Sequence, residues 1–275
     1  MKFLHISDLH FDSGSYNVEP HKIRQGLIDL INNKKKSNEA LYLLVSGDIT
    51  TKGKRSGFKE AEIFFENILK TTEIKKEHFI VCPGNHDITE DTSHKSFIEF
   101  DTFSYTIRQD NQFTFQSNSS NIFIDNEICF LSINTSYHLK HKFGKIDIYH
   151  LSQLLQSKKE EIRNAKIRII LFHHHLLNIQ DDDDSAIKNA YNFFYLINKY
   201  NFSFIFHGHQ HARQLFDINS IKINSISALL DRRTASNLIA YYEIEENKIL
   251  TKEEYTYLKD EVNEDGTRGS YKKIC

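Results

Sequence analysis

Five short stretches of the chain end in residues that can bind a cation or move a proton. They are Asp8-Leu9-His10, Gly47-Asp48, Asn85-His86-Asp87, His173-His174-His175 and His209-Gln210-His211. Carboxylate, carboxamide and imidazole are donors that suit manganese, iron, zinc or nickel, and imidazole also exchanges protons near neutral pH. Each stretch follows an apolar run of strand length: Phe3 to Ile6, Leu41 to Val45, Phe79 to Cys82, Ile167 to Phe172 and Phe204 to Phe206. In the third, Pro83 cannot donate to a ladder and Gly84 accepts unusual backbone angles. The chain therefore turns and offers Asn85, His86 and Asp87 at the strand's end. Asn-His-Asp after Pro-Gly is, taken alone, as readily a plain turn. Five such endings together describe one convergent site at the carboxyl edge of a sheet, where open α/β proteins place their chemistry.

The ordered set Asp8-x-His10, Gly47-Asp48-(x)4-Gly53, Gly84-Asn85-His86-Asp87, His173-His174 and Gly208-His209-x-His211 resembles the calcineurin-like metallophosphoesterases. A lone Gly-Asp or Asp-x-His is common; the five motifs in the family's order are specific. The resemblance implies a four-layer α/β sandwich of two mixed β-sheets flanked by helices, where periodicity alone gives only α/β. It also implies two divalent metal ions, with manganese the working choice and iron, zinc or nickel as alternatives. Asp48 would bridge them. Asp8, His10 and His211 would complete one site, and Asn85, His173 and His209 the other. His86 would protonate or stabilise the leaving oxygen, with Asp87 orienting its ring. His173 is preferred over His174 as the ligand because it comes first after the strand, and His175 stands where relatives commonly have proline. An extended backbone would point His209 and His211 to the same face.

The elements that must position these residues are legible in part. Ile23, Leu27, Leu30 and Ile31 recur at helical spacing, as do Phe58, Ala61, Phe65, Ile68 and Leu69, giving a β-α-β-α-β order with helical crossovers. Lys34-Lys35-Lys36 reads as a solvated helix C-terminus. Residues 88–120 carry Phe97, Phe100, Phe103 and Tyr105 without a sustained period. They are expected to be a variable insertion, either a cap beside the site or a packed excursion, with Arg108 available to pair with a phosphate. Glu127 to Asn134 reads as a strand, and Gly144 opens a connection into a helix carrying Leu151, Leu154, Leu155 and Ile162. Asp181 to Asp184 are expected to face away from the site, with Asp184 or Ser185 capping a helix that carries Ile187, Tyr191, Phe194 and Ile197. Gln214 to Ile218, Ile221 to Ile226 and Leu238 to Ile244 alternate like antiparallel strands. One domain is expected over 1–258, followed by a loose polar tail over 259–275 containing Gly266 and Gly269.

The 275 residues include 35 basic and 37 acidic side chains, a formal net charge of −2. No general attraction to polyanions follows, so nucleic-acid binding would need a local basic patch. Of 15 histidines, His10, His86, His173, His174, His175, His209 and His211 lie in the five stretches. His207 reads as structural, and His5 and His21 as lying near or at the surface. Cys82, Cys129 and Cys275 lack metal-type spacing and do not form a disulfide framework; the first two read as buried packing residues. No run approaches a membrane span, and the N-terminal apolar stretch is broken by His5, Asp8 and His10, so no membrane partner is expected and a cytoplasmic location is the default.

The leading functional expectation is a phosphodiesterase acting on a nucleotide-type phosphodiester by a two-metal hydroxide mechanism. Two ions roughly 3.5–4 Å apart neutralise the substrate and lower the pKa of bound water. A DNA exonuclease resembling the family's repair nucleases is less favoured, because their additional regions are not evident and the chain is not basic. A phosphomonoesterase is a third reading. A non-catalytic scaffold of this fold is the least favoured, since such relatives lose ligands or the motif histidine.

Overall fold

The computed structural model describes residues 1–14, 16–36, 39–91, 94–178, 181–230, 237–262 and 268–274. Strands β1 (Lys2–Ile6), β2 (Leu41–Ser46) and β3 (Phe79–Cys82) run parallel, joined by helices α1 (Pro20–Lys34) and α2 (Arg55–Thr72). Parallel neighbours need such crossovers and are covered on both faces, which is why these strands are apolar runs rather than alternations. Next come a two-stranded hairpin, β4 (Thr89–Glu90) with β5 (Lys95–Ser96), and helix α3 (Ile98–Arg108). Strands β6 (Ser120–Asp125) and β7 (Ile128–Ile133) form an antiparallel hairpin. After helices α4 (Ile148–Ser157) and α5 (Lys159–Asn164), β8 (Ile167–Leu171) adds parallel to β7. Helix α6 (Ala190–Ile197) leads to β9 (Phe204–His207), parallel to β8. The hairpin β10 (Gln214–Ile218) and β11 (Ile221–Ser225) follows, with β11 parallel to β9. The chain then returns to the first sheet as β12 (Leu238–Glu245), β13 (Lys248–Val262) and β14 (Arg268–Lys273).

Two six-stranded mixed sheets result, ordered β14-β13-β12-β1-β2-β3 and β10-β11-β9-β8-β7-β6. Strand alternation fixes how they pack. Phe130, Ile169, Leu171, Phe204 and Phe206 point into the core shared with the first sheet, where Phe130 meets Phe3 and Tyr42, and Phe206 meets Tyr242. Their neighbours Cys129, Leu131, Ile170, Phe172 and Ile205 point the other way, into a second core closed by Leu151, Leu155, Ile162, Phe193 and Ile197 of the helices. Period-two alternation thus serves two cores at once. Helices cover the outer face of each sheet, completing a four-layer α/β sandwich. Cys82 and Cys129 are buried.

The described residues of 88–120 form a packed excursion. Phe97, Phe100, Phe103 and Ile107 fall on one face of a helix, and Phe103 sits among Phe58, Phe65 and Phe79. Burying one such ring stabilises by roughly 1.5–3 kcal/mol. Arg108 is not available to a phosphate. Its guanidinium is buried, donates to Glu77 O, Phe79 O and Asp110, and lies over the rings of Phe113 and Phe123.

The expected loose tail carries β14, paired antiparallel to β13. Tyr257 and Tyr271 meet edge to face at 5.3 Å and pack on Gly26 of α1, which leaves them room. Gly266 and Cys275 lie outside the described residues. Lys34 and Lys35 end α1 as expected, but both are engaged: Lys34 pairs with Glu253 and Lys35 donates to Thr72 O and Glu73 O. Among the described residues no helix is long and apolar enough to cross a membrane.

Candidate metal centre

The segments that follow β1 and β2 are laced together before any side chain is considered. Asp8 N donates to Gly47 O at 3.1 Å, His10 N to Asp48 O at 3.0 Å and Phe11 N to Ile49 O at 2.9 Å. Asp8, His10 and Asp48 all take left-handed backbone angles, with φ of 54°, 49° and 50°. That conformation is uncommon outside glycine and persists where surroundings over-determine it. Gly84 is one cause. It lies so close to Asp48 that a Cβ would overlap both its backbone N and its Oδ1.

The second sheet contributes from across the seam. His173 follows β8, its Nδ1–H donating to Ser46 O at 2.8 Å, which leaves Nε2 as the free ligand atom. His209 and His211 follow β9, but not as an extended segment. Both are left-handed, with φ of 76° and 49°, and they part company. His209 Nδ1 lies 3.2 Å from His173 Nε2, whereas His211 Nε2 lies 3.2 Å from Asp8 Oδ1 and 3.3 Å from His10 Nε2.

Two donor groups therefore stand side by side. Asp8, His10 and His211 form one, and Asp48, His173 and His209 the other, each with its ligand atoms within 4.8 Å of one another. Asp48 Oδ2 sits between them, 3.1 Å from His173 Nε2 and 3.9 Å from His10 Nε2. Asn85 is buried, and its Oδ1 accepts no hydrogen bond from the described residues. An orphaned buried carbonyl oxygen is costly unless something positive meets it. The residues fit a pair of divalent cations: two carboxylates, one carboxamide and four imidazoles is the mixed donor set such ions take.

The electrostatics set the two imidazoles of the second group apart: His173 holds a proton that a cation would have to displace, and His209 does not. Burial opposes the charge on His173, yet the Asp48 carboxylate beside it lifts the imidazole to about 9. Burial likewise works against ionised Asp48, and the His173 charge outweighs it, holding the carboxyl well below the usual range. His209 is pushed down to about 3, by burial first and then by the charge of His173, so it is neutral and able to ligate.

His86 and Asp87 do not share the expected relationship. The His86 ring donates from Nδ1 to Thr51 O at 2.8 Å, and Thr51 Oγ1 in turn donates to His10 O. Asp87 faces the other way and is fully buried. Its carboxylate accepts from Ile49 N, Thr50 N and Gly84 N, at 3.1, 2.9 and 2.9 Å, and from Thr50 Oγ1. It clamps the turn that carries Asp48 and leaves the aim of His86 to a carbonyl. Burial, then the charge of Asp48, pushes Asp87 up to about 7 against those three amides.

Among the other histidines, His174 spends Nδ1 on Thr135 Oγ1 at 2.8 Å and packs against Gly144, where no side chain would fit. His207 is buried and stacks on Phe172. His5 is not at the surface: it is fully buried, 2.8 Å from Ser46 Oγ and edge-on to Phe206. His21 is exposed. The acidic run corrects another expectation. Helix α6 is preceded by Asn189, not by Asp184 or Ser185, and Asp183 turns inward to His175 and Gln210. Thr51 and Ser46 carried no signal in the sequence, because each acts through a backbone carbonyl, and the inward turn of Asp183 to His175 and Gln210 was not distinguishable within the acidic run.

A relative with 31% identity over 99 residues is the uncharacterized metallophosphoesterase-like protein YydB of Bacillus subtilis (strain 168); the match spans 36% of this chain and 20% of that protein. Among solved structures, a dimetal phosphatase from Danio rerio is similar at a TM-score of 0.62 and 11% identity, covering 100% of this chain and 98% of that one. TT1561 of Thermus thermophilus is similar at a TM-score of 0.53 and 10% identity, covering 91% of this chain and 97% of that one. At such identities the likeness speaks for the fold. The family model for the calcineurin-like phosphoesterases matches residues 1–213, and with the five motifs in order on this scaffold, the chain belongs to that family.

Proposed function

We propose that this chain is a metal-dependent phosphodiesterase acting on a nucleotide-type phosphodiester. The observation that carries the reading is Asp48 Oδ2, one carboxylate oxygen between His173 of one donor group and His10 of the other. Asp8, His10, Asp48 and His211 would hold one divalent cation, and Asp48, Asn85, His173 and His209 the second, manganese being the working choice. Bound there, such ions polarise a phosphoryl oxygen, neutralise its charge and lower the pKa of a water.

The chain's own residues supply the rest. Ser46 O fixes the His173 tautomer, and the backbone N–H of His86 holds Asp48 Oδ1 at 2.9 Å, so that Oδ2 faces the donor groups. The Nδ1–H bond to Thr51 O turns His86 Nε2 toward the departing oxygen, to which the ring in its imidazolium form would hand the Nε2 proton. His86 also stands edge-on to His10, 5.1 Å between ring centres, at the rim of the donor cluster. The 137–145 loop supports a substrate with a second arm. It brings His141 to 6.5 Å from the His86 ring and carries exposed Lys140, Lys142 and Lys145 with half-buried Tyr137 and Phe143. Cations and rings on a loop that reaches the leaving-group histidine suit an anionic ester bearing a base, although Lys142 is paired with Asp184 and His141 with Glu90.

The test is kcat/KM for bis-p-nitrophenyl phosphate against p-nitrophenyl phosphate, both with Mn2+, followed by cyclic nucleotides, dinucleotides and single-stranded DNA. Preference for the diester is expected. A clear preference for the monoester would overturn the assignment.

A further inference from the structure

His175 stands two residues past the candidate ligand His173, and Gln210 lies between His209 and His211. One carboxylate reaches both. Asp183 Oδ2 accepts from His175 Nε2 at 2.7 Å and from Gln210 Nε2 at 2.8 Å. Asp183 is itself fixed: its Oδ1 accepts from Ser185 N at 2.9 Å and Ser185 Oγ at 2.6 Å, and Gln210 Nε2 also reaches Ser185 Oγ. The His175 ring, fully buried, lies nearly parallel to that of His209, at 13° and 5.3 Å between centres. Its acidic neighbours Asp181, Asp182 and Asp184 are exposed, while the Asp183 side chain is 9% exposed.

The geometry answers a need. His209 and His211 serve different donor groups from left-handed backbone, a conformation that persists where its surroundings over-determine it. Nothing in β9 itself enforces it, since the strand stops at His207. Asp183 grips the loop at its midpoint through Gln210, and through His175 it sets a flat wall against the ring of His209. Hydrogen-bonded partners behind a metal-binding histidine orient the ring, and losing them typically costs 10–100-fold in metal affinity; here a stacked ring and a grip on the loop take that part.

We propose that Asp183, acting through His175 and Gln210, is a positioning clamp that holds His209 where it can serve a divalent cation beside Asp48 and His173. The proposal rests on the two-metal reading above. It predicts an asymmetric effect, because the His175 ring lies against His209, whereas Asp8 reaches both residues, accepting from His209 N at 3.1 Å and lying 3.2 Å from His211 Nε2.

The experiment is a calorimetric titration of metal-free protein with Mn2+, comparing wild type, Asp183→Ala and the size-matched Asp183→Asn. Two binding steps are expected in wild type. In both variants one step should weaken by about 10–100-fold while the other is unchanged. Co2+ titrations followed in the visible should show an altered spectrum for one equivalent only. Melting of the metal-free proteins separates positioning from general damage. Equal weakening of both steps with a fall in melting temperature would make Asp183 merely structural and overturn the proposal. If wild type takes up two ions and Asp183→Asn matches it in both steps and in spectrum, the clamp fails while the metal centre stands. If wild type takes up none, both fall together.

Discussion

His86 is aimed by the carbonyl of Thr51, 2.8 Å from its Nδ1, and not by the carboxylate of Asp87 that follows it in the chain. The two residues therefore separate in function. His86 faces the donor groups at the rim, and Asp87 is a buried strut behind them.

Replacing His86 by Ala or Asn should lower turnover about 10²–10⁴-fold on a diester with a poor leaving group, the range general acids supply. Both metals should stay bound. With a p-nitrophenyl diester, whose leaving group scarcely needs a proton, the loss should shrink. Equal losses on the two substrates would assign His86 to binding instead.

Asp87→Ala should behave differently. It strands three backbone N–H donors at a fully buried site, each at a cost of roughly 1–3 kcal/mol. Melting temperature, metal content and rate should fall together, whatever the leaving group. A variant of normal melting temperature with a loss confined to poor leaving groups would restore Asp87 as the partner of His86.

Asp48→Asn removes charge at the position shared by both donor groups. Metal analysis should find less than the wild-type content at both sites, and chelation of wild type should abolish activity that added Mn2+ restores. Full activity in rigorously metal-free protein would remove the metal centre from the mechanism.

Glu253 offers a prediction about stability. Burial raises its carboxyl, but hydrogen bonds from Lys34, Tyr255 and Lys273 outweigh this and bring it down to about 2. A depressed folded-state value means that the contribution is present above the ordinary value near 4.5 and is lost as pH falls through about 2. Glu253→Gln should thus lower stability at pH 7 by about 1 kcal/mol or less, as befits a partly exposed pair. The gap from wild type should close as pH drops from about 5 to 2. Denaturant melts across that window check it. A gap that does not change with pH would show that the lost side-chain contacts matter rather than the charge.

The five strand-end motifs were legible because a continuous apolar run points at each one, and the sheet brings those ends together. Which atom each residue would use was not. The preference for His173 over His174 finds its support in Ser46 O and Thr135 Oγ1, partners 127 and 39 residues away. The role of Asp87 rests on backbone amides that no side-chain pattern announces. Phe97, Phe100, Phe103 and Ile107 do carry a helical spacing, obscured by exposed Tyr105 in the same stretch. β14 is polar on its open side and is recognisable only beside β13, with Tyr257 and Tyr271 packed on Gly26.

β1 is an interior strand, flanked by β2 on one side and by β12 on the other, where Phe3 faces Tyr242 and the Met1 amino group bonds Ile244 O at 2.8 Å. The last candidate metal donor in the chain is His211, yet the strand that seals β1 begins only at Leu238. On a ribosome, then, β1 waits for a strand made long after every donor. Until β12 emerges, β1 offers a bare apolar edge of the kind that pairs with other chains. Of the two sheets, the one begun earlier is the one closed later.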